Sequence, residues 1–180
     1  NYKYTNAEFW EVLDHDFLEG KPYSAQQISN GELVTVISED IRNNYFGNAG
    51  SVVGKYIEAD NVKYRVCGVV KNVPITLYMM YSDIYLPYTV SKTDYKGTGY
   101  RGGFTGIILA NSKSDLPIIQ QEYVAMVKRL PMSGKEFDRI NSHAEPFIRA
   151  YVSTGNEESS GMTYALTALA IFAGVILLLP

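Results

Sequence analysis

The chain has 180 residues, 46% apolar and 19% charged, with 16 Lys+Arg against 19 Asp+Glu. Disorder needs low hydrophobicity and high charge, so it is excluded; the length fits one domain of ordinary size or two small lobes. A net charge of −3 gives no global pull toward nucleic acid or anionic lipid, the single Cys67 excludes a disulfide framework or a Cys-built zinc site, and His15 and His143 are too far apart for a local histidine metal motif.

In chain order, Thr5-Asn6-Ala7-Glu8 reads as a capping box that opens a short helix, with Phe9, Trp10 and Leu13 on its apolar side. His15, between Asp14 and Asp16, reads as part of a solvated turn, and Gly20-Lys21-Pro22 as another turn. Ser24 caps a second short helix ending at Asn30-Gly31. Leu33 to Ile37 is β-rich, and Ser38 then caps a helix through Phe46, closed by Gly47. Residues 53–59 and 63–70 are two strands joined at Asp60-Asn61, a step that tolerates the positive φ of a tight hairpin turn. Cys67, in the second of them, reads as a small core residue. Asp83 to Tyr88 is a strand whose Pro87 favours an edge or an end.

Ser91 to Gly103 is a polar, glycine-rich loop, and Phe104 to Ala110 is again β-like. Leu116, Ile119, Tyr123, Val127 and Leu130 make an amphipathic helix, capped by Asp115, with Pro117 in its first turn and Pro131 ending it. Phe147 to Val152 reads as the last strand. The expectation is an α+β fold in two lobes: a β-rich lobe near 11–100 and a β-α-β lobe near 104–152, followed by a polar linker, 153–161.

Residues 162–180 read as the start of a transmembrane helix cut short at Pro180, since 161–179 carry no charge. A membrane core of about 30 Å needs roughly 20 apolar residues in a helix. The competing reading, a buried C-terminal core helix, calls for a polar face that the run lacks. The flank from Ser153 to Met162 holds Glu157 and Glu158 and no Lys or Arg, which fits the outer side of the membrane and an extracytoplasmic domain before the helix. Without an initiator Met at Asn1, the sequence reads as a piece of a longer protein.

No motif for chemistry survives inspection. Gly97-Thr98-Gly99-Tyr100-Arg101-Gly102 has dinucleotide glycines, but a β-like run follows where a helix N-terminus is needed. Gly50 to Lys55 is one residue short of a phosphate loop, and Tyr56 stands where a magnesium-holding Ser/Thr belongs. No Gly-x-Ser-x-Gly elbow exists. The expectation is therefore no catalytic residue, no cofactor and no metal. Tyrosine is in excess, 15 of 180, and Leu77, Tyr78, Met79, Met80 and Tyr81 concentrate aromatic and thioether surface in one segment. That segment is either a flexible apolar contact for a partner or lipophilic substrate, or ordinary core and edge-strand filling.

An ordered series then stands out: Phe17-Leu18-Glu19-Gly20-Lys21-Pro22-Tyr23, Val36-Ile37-Ser38-Glu39, Tyr45-Phe46-Gly47, Val53-Gly54-Lys55, the run from Tyr64 to Pro74, and Asp83-Ile84-Tyr85-Leu86-Pro87. It resembles the MacB-like periplasmic core domain of FtsX/MacB-type ABC transporter permeases. The resemblance implies a permease with four membrane helices, this domain lying between the first and second. It also implies a cytoplasmic ABC ATPase, as a separate subunit or a fused domain, a second permease copy, lipid around 164–179, and a location at the bacterial inner (cytoplasmic) membrane on the periplasmic side. The function implied is transmission of ATP-driven motion to export or to a periplasmic partner, with no enzyme activity in the domain itself. The alternative is the ligand-binding ectodomain of a single-pass membrane receptor or adhesin; a membrane-anchored hydrolase is disfavoured by the missing nucleophile motif.

Overall fold

The computed structural model describes residues 1–97, 103–130, 140, 142 and 144–152, in two compact units, Asn1–Leu109 and Ala110–Pro180. The first is built on a six-stranded sheet. Its elements are β1 (Tyr2–Thr5), α1 (Phe9–Leu13), β2 (Phe17–Gly20), α2 (Ala25–Ser29), β3 (Val34–Ser38), α3 (Glu39–Phe46), β4 (Tyr56–Ala59), β5 (Val62–Val70) and β6 (Ile84–Pro87). The sheet order is β1-β6-β3-β5-β2, with β4 also on β5. β1 runs parallel to β6, and β3 parallel to β5; the β3–β6, β2–β5 and β4–β5 pairs are antiparallel.

Every residue of β3 and β6 is buried, because both sheet faces are covered. Side chains alternate between the faces, except in β5, where a register shift against Thr35–Val36 puts Val66 and Val69, three residues apart, on the same face. Ile37, Val66, Val69, Ile84 and Leu86 enter one core with Val52, Ile57 and Tyr64, against which Ile41 and Phe46 of α3 pack. Val36, Cys67, Val70 and Tyr85 enter the other core with Trp10 of α1, Ile28 of α2 and Tyr23. Cys67 is buried as expected; burial pushes its thiol up to about 11, and Sγ lies 3.1 Å from the Thr35 carbonyl oxygen.

Several local readings agree with the structure. Ser24 forms a full capping box with Gln27, and α2 closes through Asn30 and Gly31, whose φ is +64°. Ser38 Oγ accepts the Ile41 N–H at the start of α3, and Gly47 closes that helix. The β4–β5 hairpin turns at Asp60 and Asn61, with φ of 51° and 61°. Gly54 (φ +86°) sits in a turn before β4. Pro87 ends β6, which lies between β1 and β3 and is not an edge.

Other readings need correction. The sequence reading assigns no strand to β1 or β2. Thr5 does not cap α1: it ends β1, and its hydroxyl bonds the Tyr23 hydroxyl in the buried interior. Asn6 Oδ1 takes the Phe9 N–H instead, at 3.1 Å. His15 is not solvated. Asp14 at the end of α1 adopts a left-handed conformation (φ 47°), and His15 is 8% exposed beneath Phe9, Trp10 and Tyr85. Phe104 to Ala110 forms no strand; it has no ladder partner among the described residues, and an unpaired strand is not stable.

In the second unit, a 3-10 turn (Lys113–Asp115) leads into α4 (Leu116–Lys128). Asp115 serves the turn, accepting the Ser112 N–H at 2.9 Å, and gives α4 no side-chain cap; Pro117 lies in its first turn as expected. Phe147–Val152 is a helix, α5, not a strand. Its apolar spacing in so short a run fits either period, and Pro146 opens a helix, with the Arg149 N–H donating to its carbonyl at 2.8 Å. The strands of the expected β-α-β lobe are thus absent among the described residues. Tyr123 and Ser142 bond through their hydroxyls, and Gln120 Nε2 donates to the Ala144 carbonyl at 3.2 Å. His143, Pro131, the linker 153–161 and the run 162–180 lie outside the described residues; among those described, no helix is long and apolar enough to cross a membrane.

One polar cluster ties β2 to α3 and the loop before β4. The Glu19 carboxylate accepts Arg42 Nε (3.1 Å), Ser51 Oγ (2.9 Å) and the Val52 N–H (2.8 Å). Arg42 also donates to the carbonyls of Gly47 (2.9 Å) and Ala49 (2.7 Å). Partial burial raises the Glu19 carboxyl, but the bonds from Val52, Ser51 and Arg42 outweigh it and hold the group below the ordinary carboxylate range. Charge-assisted bonds contribute about 1.5–3 kcal/mol, so Arg42→Ala is expected to lower stability by about 2 kcal/mol in urea unfolding. A change under about 0.5 kcal/mol, the size of an ordinary surface substitution, shows the cluster to be ornamental.

Candidate functional site

The Leu77–Tyr81 segment leaves its five side chains unequally open: Tyr78 is exposed and the other four are half-buried. The segment is a series of turns between β5 and β6: the Leu77 N–H donates to the Pro74 carbonyl, and those of Met80 and Tyr81 to the Leu77 carbonyl, each at 2.8 Å. Tyr81 Oη donates to Asp83 Oδ1 (3.2 Å), and the Met80 carbonyl accepts the Tyr85 hydroxyl (2.8 Å). Leu77, Met80 and Tyr81 are half-buried, and the Met80 bond ties the segment to Tyr85 of β6. Tyr78, 50% exposed, and Met79 face a groove.

That groove is about 390 Å³, lined from β1 by Tyr2, Lys3, Tyr4 and Thr5, and from elsewhere by Phe9, Tyr88 and Phe104. A second hollow of about 410 Å³ shares Tyr4, Thr5, Phe9, Tyr88 and Phe104 with it and extends to Glu8 and Tyr95. Both fall in the size range of small-ligand sites; both mix aromatic faces with polar groups, Ser91, Thr93 and Thr105 in the first and Asn6, Glu8 and Thr105 in the second. The walls come together because β1 pairs in parallel with β6, Tyr2 opposite Ile84 and Thr5 opposite Pro87, which brings the start of the chain beside the 77–81 turns.

The electrostatics centre on Lys3. It is half-buried, its ammonium donates to the Tyr78 carbonyl at 3.0 Å, and desolvation pulls it below the ordinary lysine range. Among the described residues no carboxylate pairs with it. Tyr2 Oη contacts Asp60 Oδ1 at 3.4 Å; desolvation, then the Asp60 charge, raises the phenol. Among the described residues, no three His, Cys, Asp or Glu side chains gather as a metal site would require. The groove offers aromatic faces, a thioether, the hydroxyls of Ser91, Thr93 and Thr105, and one cation: the chemistry of binding.

Tyr2, Lys3, Tyr4, Phe9 and Phe104 escape the sequence reading of the site. The one local signal is the alternation Tyr2-Lys3-Tyr4, which has the period of a strand with two unlike faces.

The model of the MacB-like periplasmic core domain family matches residues 1–125. The chain is 25% identical over 173 residues to the pyoverdine export ATP-binding/permease protein PvdT of Pseudomonas syringae pv. syringae (strain B728a), a match covering 95% of the chain and 26% of that protein. The chain therefore spans about a quarter of the length of the curated relatives it matches. Among solved structures, the periplasmic region of MacB from Actinobacillus actinomycetemcomitans is similar at a TM-score of 0.41 and 20% identity, covering 51% of this chain and 39% of that one. The extracellular domain of the noncanonic ABC-type transporter YknZ from Gram-positive bacteria is similar at a TM-score of 0.43 and 23% identity, covering 53% and 47% respectively. With the family's pattern running from β1 into α4, the chain belongs to the MacB-like periplasmic core domain family of ABC-transporter permeases.

Proposed function

We propose that the chain is the extracytoplasmic domain of a bacterial inner-membrane ABC permease, and that it couples ATP hydrolysis by a cytoplasmic ATPase, a separate subunit or a fused domain, to export or to control of a periplasmic partner. In this reading residues 162–180 begin a membrane helix in contact with lipid, and a second permease copy completes the assembly. The domain itself carries no catalysis; it engages a partner or substrate and relays movement. The observation that carries the reading is family membership over residues 1–125. Export as the activity class is supported by the name of the relative PvdT, and no cargo is carried over from it. Partner engagement is supported by the aromatic groove at Tyr78 and Met79 beside β1.

The test uses the full-length permease with its ATPase in sealed vesicles. Tyr78→Asp with Met79→Asp is expected to cut transport per ATP hydrolysed by about tenfold, the effect of removing about 1.4 kcal/mol of contact. Export at the unaltered ratio by a correctly folded variant overturns the role of this segment. Absence of any ATP-driven transport by the unaltered permease overturns the assignment to export.

A further inference from the structure

We propose that the outer edge of β1 is a peptide-docking site that takes one extended segment of a partner protein as an added strand, with a carboxylate of that segment on Lys3. The inference deepens the partner engagement proposed above and rests on it. The first observation is where the groove runs. Successive residues of a strand point to opposite faces of the sheet, yet Tyr2, Lys3, Tyr4 and Thr5 all line the groove. A hollow that touches both faces of one strand follows the strand's edge.

The second observation is that this edge is open. Among the described residues β1 pairs on one side only, with β6. The Ile84 N–H donates to the Asn1 carbonyl at 3.1 Å. In a parallel pair alternate residues turn their main-chain groups to the partner, so Asn1, Lys3 and Thr5 face β6 while the N–H and C=O of Tyr2 and Tyr4 face the groove. An open strand edge is a template for another strand, and alternate main-chain groups are what strand addition uses.

The third observation is charge. Lys3 stands in the groove with a carbonyl as its hydrogen-bond acceptor and, among the described residues, no carboxylate. An anionic side chain on the incoming strand supplies the missing partner. Tyr2 and Tyr4, 40% and 42% exposed, lie on the opposite face, where they flank apolar or β-branched side chains across the new pair. The segment recognised is thus extended, acidic on one face and apolar on the other.

The probe is a fluorescent hexapeptide of alternating glutamate and valine, acetylated and amidated, read by anisotropy against the 180-residue chain in detergent at low salt. Saturable binding is expected. N-methylation of one alternate set of peptide nitrogens abolishes it, and methylation of the other set leaves it, because a strand pairs through one set only. Lys3→Glu weakens binding by about tenfold and transfers preference to a peptide with lysine in place of glutamate. Lys3→Met, which keeps the stem, gives the same loss, and matched melting curves show that the fold is intact. The proposal is overturned by equal binding of both methylated peptides, by indifference to the charge at Lys3, by a requirement for free peptide ends, which marks a free peptide as the ligand, or by no binding of the unmodified peptide to folded chain. Peptide binding without any effect of groove variants on transport strikes the coupling role and leaves the site; transport loss without peptide binding does the reverse.

Discussion

Gly20→Ala is expected to destabilise the protein by about 4 kcal/mol or more, against about 1–2 kcal/mol for Gly31→Ala. Both glycines have left-handed backbones, with φ of +66° and +64°. They differ in what a Cβ meets. At Gly31 nothing lies within 4 Å, so the cost is that of the backbone conformation alone. At Gly20 a Cβ falls 2.1 Å from the Cys67 carbonyl oxygen and 2.9 Å from Val53 Cγ2. The carbonyl is main chain and is held, since the Lys21 N–H donates to it at 3.1 Å. Relief requires β2 to move off β5, in the register where Gly20 faces Gly68. That second glycine is also confined, though less, with Lys21 O at 2.8 Å from its would-be Cβ. Urea unfolding followed by circular dichroism compares the two variants. Equal losses at both positions remove close strand approach as the cause and leave φ as the whole explanation.

The same pair of glycines shows where the sequence speaks and where it does not. Gly20 and Gly68 both fall in the segments that carry the family resemblance, yet nothing local to Phe17–Gly20 marks a strand. That strand exists because β5 lies beside it, and four residues of mixed character hold no period of their own. β3 and the second half of β5, from Val66 to Val70, are legible because both faces are buried there and the apolar runs are nearly continuous. Ser24, Ser38 and Asp60-Asn61 are legible because capping and tight turns are local chemistry. The errors come from the opposite condition. Phe104 to Ala110 has strand composition without a pairing partner among the described residues. The groove divides along the same line. Composition offers Tyr78 and Met79 as candidates, but Tyr2, Lys3 and Tyr4 join them through contacts spanning the first unit, as when Lys3 reaches the carbonyl of Tyr78, 75 residues away.

His15 is the sharpest case, because its neighbours in sequence, Asp14 and Asp16, point to water while the fold points it inward, and the consequence is measurable. Acidification from about pH 7 to pH 4 is expected to cost up to about 3 kcal/mol of stability through this one side chain. Burial, then the Lys3 charge, lowers the imidazole from 6.5 to about 4, and Asp16 opposes only weakly. Neither ring nitrogen has a hydrogen-bond partner among the described residues, so nothing there rewards a proton. Phe9 stacks on the ring at 5.4 Å, with Trp10 and Tyr85 edge-on. The unfolded chain therefore binds the proton first. Stability begins to fall as pH drops below 6.5, and the loss is complete once pH passes below about 4. Glu19, held below the ordinary carboxylate range, acts at the lower end of this window: its contribution is present above that range and is lost only as the folded-state carboxyl takes up a proton. His15→Phe keeps a ring against Phe9 and removes the titration. Whatever the substitution does to stability at pH 7, the variant's curve is expected to stay nearly flat down to about pH 5, where the wild-type curve already slopes. Parallel curves over that interval mean that His15 takes up its proton without leaving its aromatic cage, and the cage then has to be wetter than the buried ring implies.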